Sequence, residues 1–217
     1  MSKRKQPQPP FQSSQAGFTI IESLLAILVV TILMVGVAPV IVLSVATRVQ
    51  AKRVEQGADA ARAYIDGVRS GAITNAPPTP TVGFPVHTAQ PFNLVPAPTS
   101  AAGLYCVDVD GGNCSVNSPQ DLYIQAFRNG VPARPQNGYK LGIRVYRADA
   151  FSTPGPLKTM GSPTPATQGR AQTFSAGALD RKSPQFETTT EIAGNNTSLR
   201  NLCTRLRNPG NIANSCQ

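Results

Sequence analysis

Glu22 poses the first chemical question in this sequence, because it is a single carboxylate at the N-terminal edge of a long apolar run. Residues 23–47 follow it without a charge, and as a helix they extend roughly 37 Å at about 1.5 Å per residue. That length crosses a bilayer core of about 30 Å. An unpaired carboxylate drawn into hydrocarbon or a packed bundle costs a few kcal/mol. Glu22 therefore needs either a neighbouring cation or a route to the polar headgroups.

The segment before the apolar run is short, basic and polar. Residues 1–16 contain Lys3, Arg4 and Lys5 and no acid, and positive flanks stay on the cytoplasmic side of a membrane. A secretory signal places its small-residue cleavage site after the apolar core, whereas here Gly17 precedes that core. The residues alone therefore indicate an uncut signal-anchor helix, with the rest of the chain outside the cytoplasm.

The hexapeptide GFTIIE at residues 17–22 resembles the prepilin peptidase site of type IV pilins and type II secretion pseudopilins. The resemblance implies cleavage after Gly17, which makes residues 1–17 a leader peptide, and N-methylation of Phe18. It also implies a role in assembly for Glu22, the fifth residue of the processed chain. The similarity extends to Pro39, because many pilins carry a helix-loosening proline at the corresponding position.

Cleavage after Gly17 would supply the missing cation, because it creates the α-amino group of Phe18. We hypothesise that Glu22 of one subunit pairs with the Phe18 amine of its neighbour in a filament; the alternative is that Glu22 only snorkels to the headgroups. Gly36 and Pro39 predict a kink or local melting between about residues 35 and 40, because proline removes a helical hydrogen bond. A proline that a membrane helix merely tolerates is the alternative.

Four cysteines follow the apolar run, which is typical of two disulfides in an oxidising compartment. Of the three possible pairings, we prefer the one local in sequence, Cys106–Cys114 and Cys203–Cys216. Type IV pilins often have a disulfide-closed C-terminal loop, so the resemblance gives loose support to the second pair. The sequence has no CxxC spacing and a single histidine, His87, so we do not expect zinc.

A turn is predicted where Asp110 is followed by Gly111, Gly112 and Asn113. Asp108, Asp110 and Asn113 also raise the alternative of calcium, which some pseudopilins bind in the head. The EF-hand spacing and its closing glutamate are absent from this segment. We therefore expect a turn closed by Cys106–Cys114 and no cofactor.

These residues must be positioned by a long helix and a small sheet. Residues 18–46 are predicted to form the transmembrane and assembly helix, and residues 47–71 continue it as an amphipathic helix that ends at Gly71. Its apolar stripe is predicted to consist of Val49, Val54, Ala58, Ala61, Ile65 and Val68. A coiled coil is the weaker alternative, because fewer than four heptads are present.

Residues 72–217 are predicted to form an extracytoplasmic head with proline-rich loops at 75–103 and 152–185. Alternating residues predict strands at 104–109, 122–128, 139–147, 186–192 and 199–207. Together these elements predict an α+β fold in which the long N-terminal helix packs on a small antiparallel sheet, as in type IV pilins. Arg128, Arg144 and Tyr146 are candidates for a basic, aromatic outer surface, with a solvated face as the plainer interpretation.

The head is mildly basic, with twelve Lys or Arg and seven Asp or Glu in residues 72–217. An acidic polymer such as a secreted acidic polysaccharide is therefore allowed as a partner. No nucleic-acid motif is visible, although the charge also allows a DNA-binding or adhesive type IV pilin. No nucleophile elbow, phosphate loop or catalytic carboxylate pair is found, so we do not expect an enzyme. An uncleaved, membrane-anchored periplasmic binding protein is the other alternative.

Three longer segments, at residues 38–71, 122–130 and 144–151, are similar to minor pseudopilins of filamentous cyanobacteria. Those proteins belong to a system for hormogonium polysaccharide secretion, which works with the type IV pilus in gliding motility. The similarity implies a single-pass protein of the inner membrane, with the leader cytoplasmic and the head periplasmic before it joins a filament at the cell surface. The implied partners are the prepilin peptidase, other pilin or pseudopilin subunits and the inner-membrane assembly platform.

Overall fold

The computed structural model describes residues 19–75, 81–129, 137–161, 180–194, 196–199 and 203. The chain divides into two compact units, Met1–Ala46 and Thr47–Gln217. Helix α1 spans Ile20–Ser70, and the short helix α2 spans Asp149–Ser152. The strands are β1 (Val86–His87), β2 (Tyr105–Val107), β3 (Leu122–Asn129), β4 (Tyr139–Arg147) and β5 (Phe186–Ile192). The long apolar helix followed by a small sheet gives the predicted α+β, pilin-like architecture.

The sheet is mixed, which corrects the prediction of a purely antiparallel one. Its order is β1-β3-β4-β5, with β2 also paired to β3. Strands β2, β4 and β5 pair antiparallel to their neighbours, whereas β1 runs parallel to β3. Proline density in residues 75–103 predicted no regular structure there, but Val86 and His87 lie between prolines and keep their amides. They pair with Phe127 and Arg128, so this part of the loop forms a short strand at the edge of the sheet.

The helix packs on one face of the sheet through alternate strand residues. Its buried residues are Gly57, Ala60, Ala61, Tyr64 and Val68. All of these except Gly57 form one core with β3 and β4 residues of that face, Leu122, Ile124, Ala126, Tyr139, Leu141, Ile143 and Val145. The predicted stripe is therefore partly wrong. Ala61 and Val68 are buried and Ile65 packs against the core, but Val49 is 44% exposed.

Two contacts explain why the helix turns a different face to the sheet. A Cβ atom on Gly57 would lie 3.2 Å from Cβ of Gln185, so the missing side chain lets β5 approach the helix closely. The Tyr64 hydroxyl donates a 2.6 Å hydrogen bond to the carbonyl of Gly83, and its ring packs edge-on against Tyr105 at 5.2 Å. The predicted stripe was based on apolar residues alone. It therefore included neither Gly57 nor Tyr64, whose hydrogen-bond acceptor is distant in sequence.

The ends of the elements agree with the sequence in several places. Helix α1 stops at Ser70, and Gly71 adopts a positive φ of 78°. Strands β4 and β5 have the predicted limits. The closing strand predicted at residues 199–207 is wrong at Leu199 and Cys203, which are helical. Apolar residues at 199, 202, 203 and 206 follow a helical spacing; the other residues of that segment lie outside the described residues.

Candidate functional site

The described part of the N-terminal motif is a helix start. Thr19 directly precedes α1, and the Glu22 amide lies 3.0 Å from the Thr19 carbonyl oxygen and 3.3 Å from its Oγ1. Thr19 therefore caps the helix, and Glu22 occupies the first turn, where unpaired amides favour a carboxylate. Sequence reasoning missed this cap, although a threonine three residues before a glutamate is its usual signature. Gly17 and Phe18 lie outside the described residues.

Apolar side chains cover the first part of α1, and none of them is buried within the molecule. An 18-residue window of this helix has a mean hydropathy of 2.9 and is 0% buried. Met34 and Val35 are 72% and 75% exposed. By length and composition this is a helix that can cross a membrane, which is consistent with a membrane-anchored protein.

Two hydroxyl groups inside the apolar run, those of Ser23 and Thr31, donate hydrogen bonds to carbonyls of the helix itself. Ser23 Oγ donates to the carbonyl of Ile20, and Thr31 Oγ1 donates to that of Leu28, each at 2.8 Å. A hydroxyl group in the hydrocarbon core of a membrane needs such an internal partner, because no water is present there to accept its hydrogen bond. The hydroxyl groups are therefore compatible with a membrane or a packed helical bundle.

Gly36 and Pro39 lie within an unbroken helix. The helical assignment runs without interruption from Ile20 to Ser70 through Pro39, so the predicted local melting is wrong for the single chain. The predicted bend stays a prediction. A Cβ atom on Gly36 would have no neighbour within 4 Å, so this glycine is not required for any packing within the molecule.

A disulfide joins Cys106 and Cys114, with their Cα atoms 6.3 Å apart. It closes the segment that was predicted to turn, and Asn113 has a positive φ of 70°. Cys203 also takes part in a disulfide. Cys216 lies outside the described residues, so the pairing Cys203–Cys216 stays a prediction.

Three carboxylates converge at this turn. One oxygen each from Asp108, Asp110 and Asp121 lies within 4.8 Å of the others. Oxygen donors of this kind suit a calcium ion, but each carboxylate already accepts hydrogen bonds. Asp108 accepts from the amides of Gly111 (2.6 Å) and Asn113 (3.0 Å).

The other two carboxylates of the turn are also engaged. Asp110 accepts from the Ser118 hydroxyl at 2.7 Å and from the Gly112 amide, and these bonds lower its pKa. Asp121 is buried and accepts from the amides of Val109 (3.2 Å) and Ser115 (3.0 Å). These hydrogen bonds explain why the three carboxylates lie close together: each of them holds the closed turn. The sequence did not single out Asp121, because it lies eight residues beyond Asn113.

The outer sheet face is covered, which corrects the prediction for Arg144 and Tyr146. Both are fully buried. The Arg144 guanidinium donates at 2.7 Å to the carbonyls of Val95 and Phe92 and at 3.0 Å to Glu187. It also lies 4.8 Å from the centre of the Phe127 ring. Arg144 thus fastens the proline-rich loop to the sheet.

Arg128 lies on the opposite face of the sheet from Arg144, so the three candidates do not form one surface. Its guanidinium lies 5.9 Å from the centre of the Phe84 ring and 5.6 Å from that of Tyr139, which belongs to the core under the helix. On the outer face, a cleft of about 500 Å³ lies between residues 93–99 and 150–159, with Lys182 at its rim. Lys182 Nζ donates to the carbonyls of Ala150 and Thr153, which holds this rim in place.

A comparison with known protein families identifies the N-terminal signal. Residues 12–38 match the family described as the prokaryotic N-terminal methylation motif, which is a type IV pilin-like signal. No curated protein and no solved structure matches the chain significantly. The motif supports processing by a prepilin peptidase and assembly with other pilins, and pilin-like proteins are generally structural rather than catalytic. The chain thus carries a type IV pilin-like signal at the start of a pilin-like α+β architecture.

Proposed function

We propose that this protein is a minor pseudopilin that assembles through its N-terminal helix into a type IV pilus or pseudopilus-like apparatus. The observation that carries the proposal is the methylation motif over residues 12–38, placed at the start of a helix whose apolar side chains are exposed from Ile20 to Ala46. A helix exposed in this way must be covered by lipid or by other helices. Both environments occur in the life of a pilin, first in the membrane and then in the filament core.

Glu22 is proposed to direct assembly. It lies exposed in the first turn of α1, and after cleavage at Gly17 the nearest new cation would be the α-amino group of Phe18. Pairing between neighbouring subunits would neutralise both charges inside the bundle, where an unpaired charge is costly. Within a single chain, Glu22 lies only four residues from Phe18. Each subunit of the proposed filament would therefore bring both groups to the same end of its helix.

The narrower role rests on the similarity of residues 38–71, 122–130 and 144–151 to minor pseudopilins of hormogonium polysaccharide secretion. We propose export of an acidic polysaccharide and gliding motility as the process served. The inner-membrane assembly platform and other pseudopilins are the proposed partners. The proposed path starts in the inner membrane with the leader cytoplasmic and the head periplasmic, and it ends in the filament.

An uncleaved binding protein is the second candidate, and the cleft beside Phe151 is the observation that favours it. A DNA-binding or adhesive pilin is a third candidate, supported only by the basic composition of the chain. Only the second candidate differs from the first in what it requires of Glu22, because a DNA-binding or adhesive pilin would assemble through the same helix. A tethered binding protein needs no carboxylate at that position.

The assembly role is tested by Glu22→Ala in the native host. We expect the variant to reach the membrane but to be lost from sheared filaments and from subunit cross-links, because the cation of the neighbouring subunit would lose its partner. Glu55→Ala is the matched control, since Glu55 is an exposed carboxylate on the same helix. Normal assembly of Glu22→Ala would contradict the role of Glu22, whereas absence of the unchanged protein from sheared filaments would favour the tethered binding protein.

A further inference from the structure

A group of arginines lies where β4 ends beneath helix α1. Residues Tyr139, Leu141, Ile143 and Val145 form the helix-facing row of β4, and alternation places Arg147 next in that row. Gln185 donates its amide to the carbonyl of Val145 at 2.8 Å. Because Gln185 also lies against Gly57, the helix turn that precedes Gly57 lies beside Arg147.

Arg53 is in that preceding turn and is half-buried. Burial lowers the pKa of Arg53, and the positive charges of Arg147 and Arg181 lower it further, while Asp149 opposes them. Four charged groups from three parts of the chain therefore lie together, since Arg147 and Asp149 are only two residues apart. Three of them are cations and one is an anion, so the group carries excess positive charge.

The anion is already engaged in this group. Asp149 Oδ2 accepts a hydrogen bond from Arg147 Nη2 in a buried ion pair. Among the described residues, Arg147 Nε and Asp149 Oδ1 are buried without a hydrogen-bond partner. Arg147 is only 5% exposed. A buried guanidinium that is incompletely bonded and adjacent to two further arginines is unusual unless an anion completes it.

We propose that Arg53, Arg147 and Arg181 form a binding site for a phosphate group. Guanidinium groups present paired donors that match the oxygens of a phosphate, and several of them can share one anion. Arg53 and the exposed Arg181 would contact the phosphate directly. The buried Arg147 would add positive charge behind these two residues, and its ion pair with Asp149 would fix the orientation of its guanidinium. The phosphate could belong to a lipid headgroup or to a soluble phosphate ester, and both offer the same oxygens.

The test uses the full chain, purified in maltoside micelles that contain no phosphate. Isothermal titration calorimetry would measure binding of inorganic phosphate in one arm and of a short-chain phosphatidylglycerol in the other. We expect saturable binding in at least one arm, and the arm that binds identifies the source of the phosphate. Arg53→Gln and Arg181→Gln should each weaken binding about tenfold, since each removes a charge-assisted hydrogen bond.

Arg62→Gln is the matched control, because it removes the same charge from an exposed position on the same helix. The affinity of this variant should remain within about twofold of the unchanged protein, as expected for an exposed surface charge. Equal weakening by all three variants would mean that net charge alone attracts the anion, and it would overturn the proposal. Absence of binding in both arms would overturn it as well. The assembly role of Glu22 does not depend on either result.

Discussion

At the scale of single residues, Arg144 shows how a charge can serve the head without reaching solvent. It is fully buried, yet its guanidinium donates to two loop carbonyls and to Glu187. Alternation along β4 correctly placed Arg144 and Tyr146 on the face opposite the helix. It did not reveal that the proline-rich loop covers that face, because the acceptors lie about 50 residues away in sequence.

Replacement of Arg144 by leucine is therefore expected to destabilise the head. Glu187 and two carbonyls would lose a buried partner, which costs about 3–5 kcal/mol and lowers the unfolding midpoint by about 10 °C. Thermal unfolding of the purified chain, followed by circular dichroism, measures the change. Arg62→Leu, which breaks an exposed ion pair with Asp59, should shift the midpoint little. Equal effects of the two replacements would contradict the role of Arg144.

Buried tyrosines should make the head sensitive to high pH. Burial raises the pKa of Tyr64 and of Tyr146 well above the ordinary value of 10.0. Below pH 10 the tyrosines are neutral in both states. Above it the unfolded chain releases protons that the folded head retains, so stability falls by up to about 1.4 kcal/mol per pH unit for each tyrosine.

Tyr64→Phe is expected to make that fall shallower. It removes one of the retained protons, although at neutral pH it also costs about 1 kcal/mol through loss of the hydrogen bond to Gly83. Urea titrations from about two pH units below to about one pH unit above the ordinary tyrosine pKa give the slope for each protein. Identical slopes would show that Tyr64 does not contribute.

At the scale of elements, the sequence predicted those parts whose pattern is local. Strands β4 and β5 follow from alternation, and the end of α1 follows from Gly71. The parallel pairing of β1 with β3 was not predictable, because a two-residue strand carries no period. The buried face of α1 was displaced for a related reason. The close approach of Gln185 to Gly57 and the hydrogen bond from Tyr64 to Gly83 involve residues distant in sequence. A helical periodicity cannot predict such partners.

The Cys106–Cys114 disulfide links β2 to the turn that follows it, and its contribution to the free energy of unfolding can be estimated. It closes a short loop with a sequence separation of 8, which corresponds to about 2–3 kcal/mol of stabilisation. A Cys106→Ser, Cys114→Ser double variant should unfold at a correspondingly lower urea concentration than the unchanged chain. It should still fold, because the core under the helix contains neither cysteine. An unchanged midpoint would show that the turn is held by the hydrogen bonds of its carboxylates alone.

At the scale of the whole molecule, the two units differ in whether their apolar side chains are exposed or buried. Among the described residues, the side chains in the apolar part of α1 are exposed, whereas the head has its own helix-on-sheet core. The motif at residues 12–38 supports a pilin-like use of the first unit. A role in polysaccharide secretion was proposed only by resemblance, because no cluster of side chains in the described head specifies a cargo or a partner subunit.

The account depends most directly on processing after Gly17, which mass spectrometry of the intact protein can measure. The chain would be isolated from host cells with an active prepilin peptidase and from matched cells that lack it. We predict a mature chain that begins at N-methylated Phe18 in the first case and the unprocessed chain in the second. A chain that still begins at Met1 in cells with an active peptidase would contradict the account.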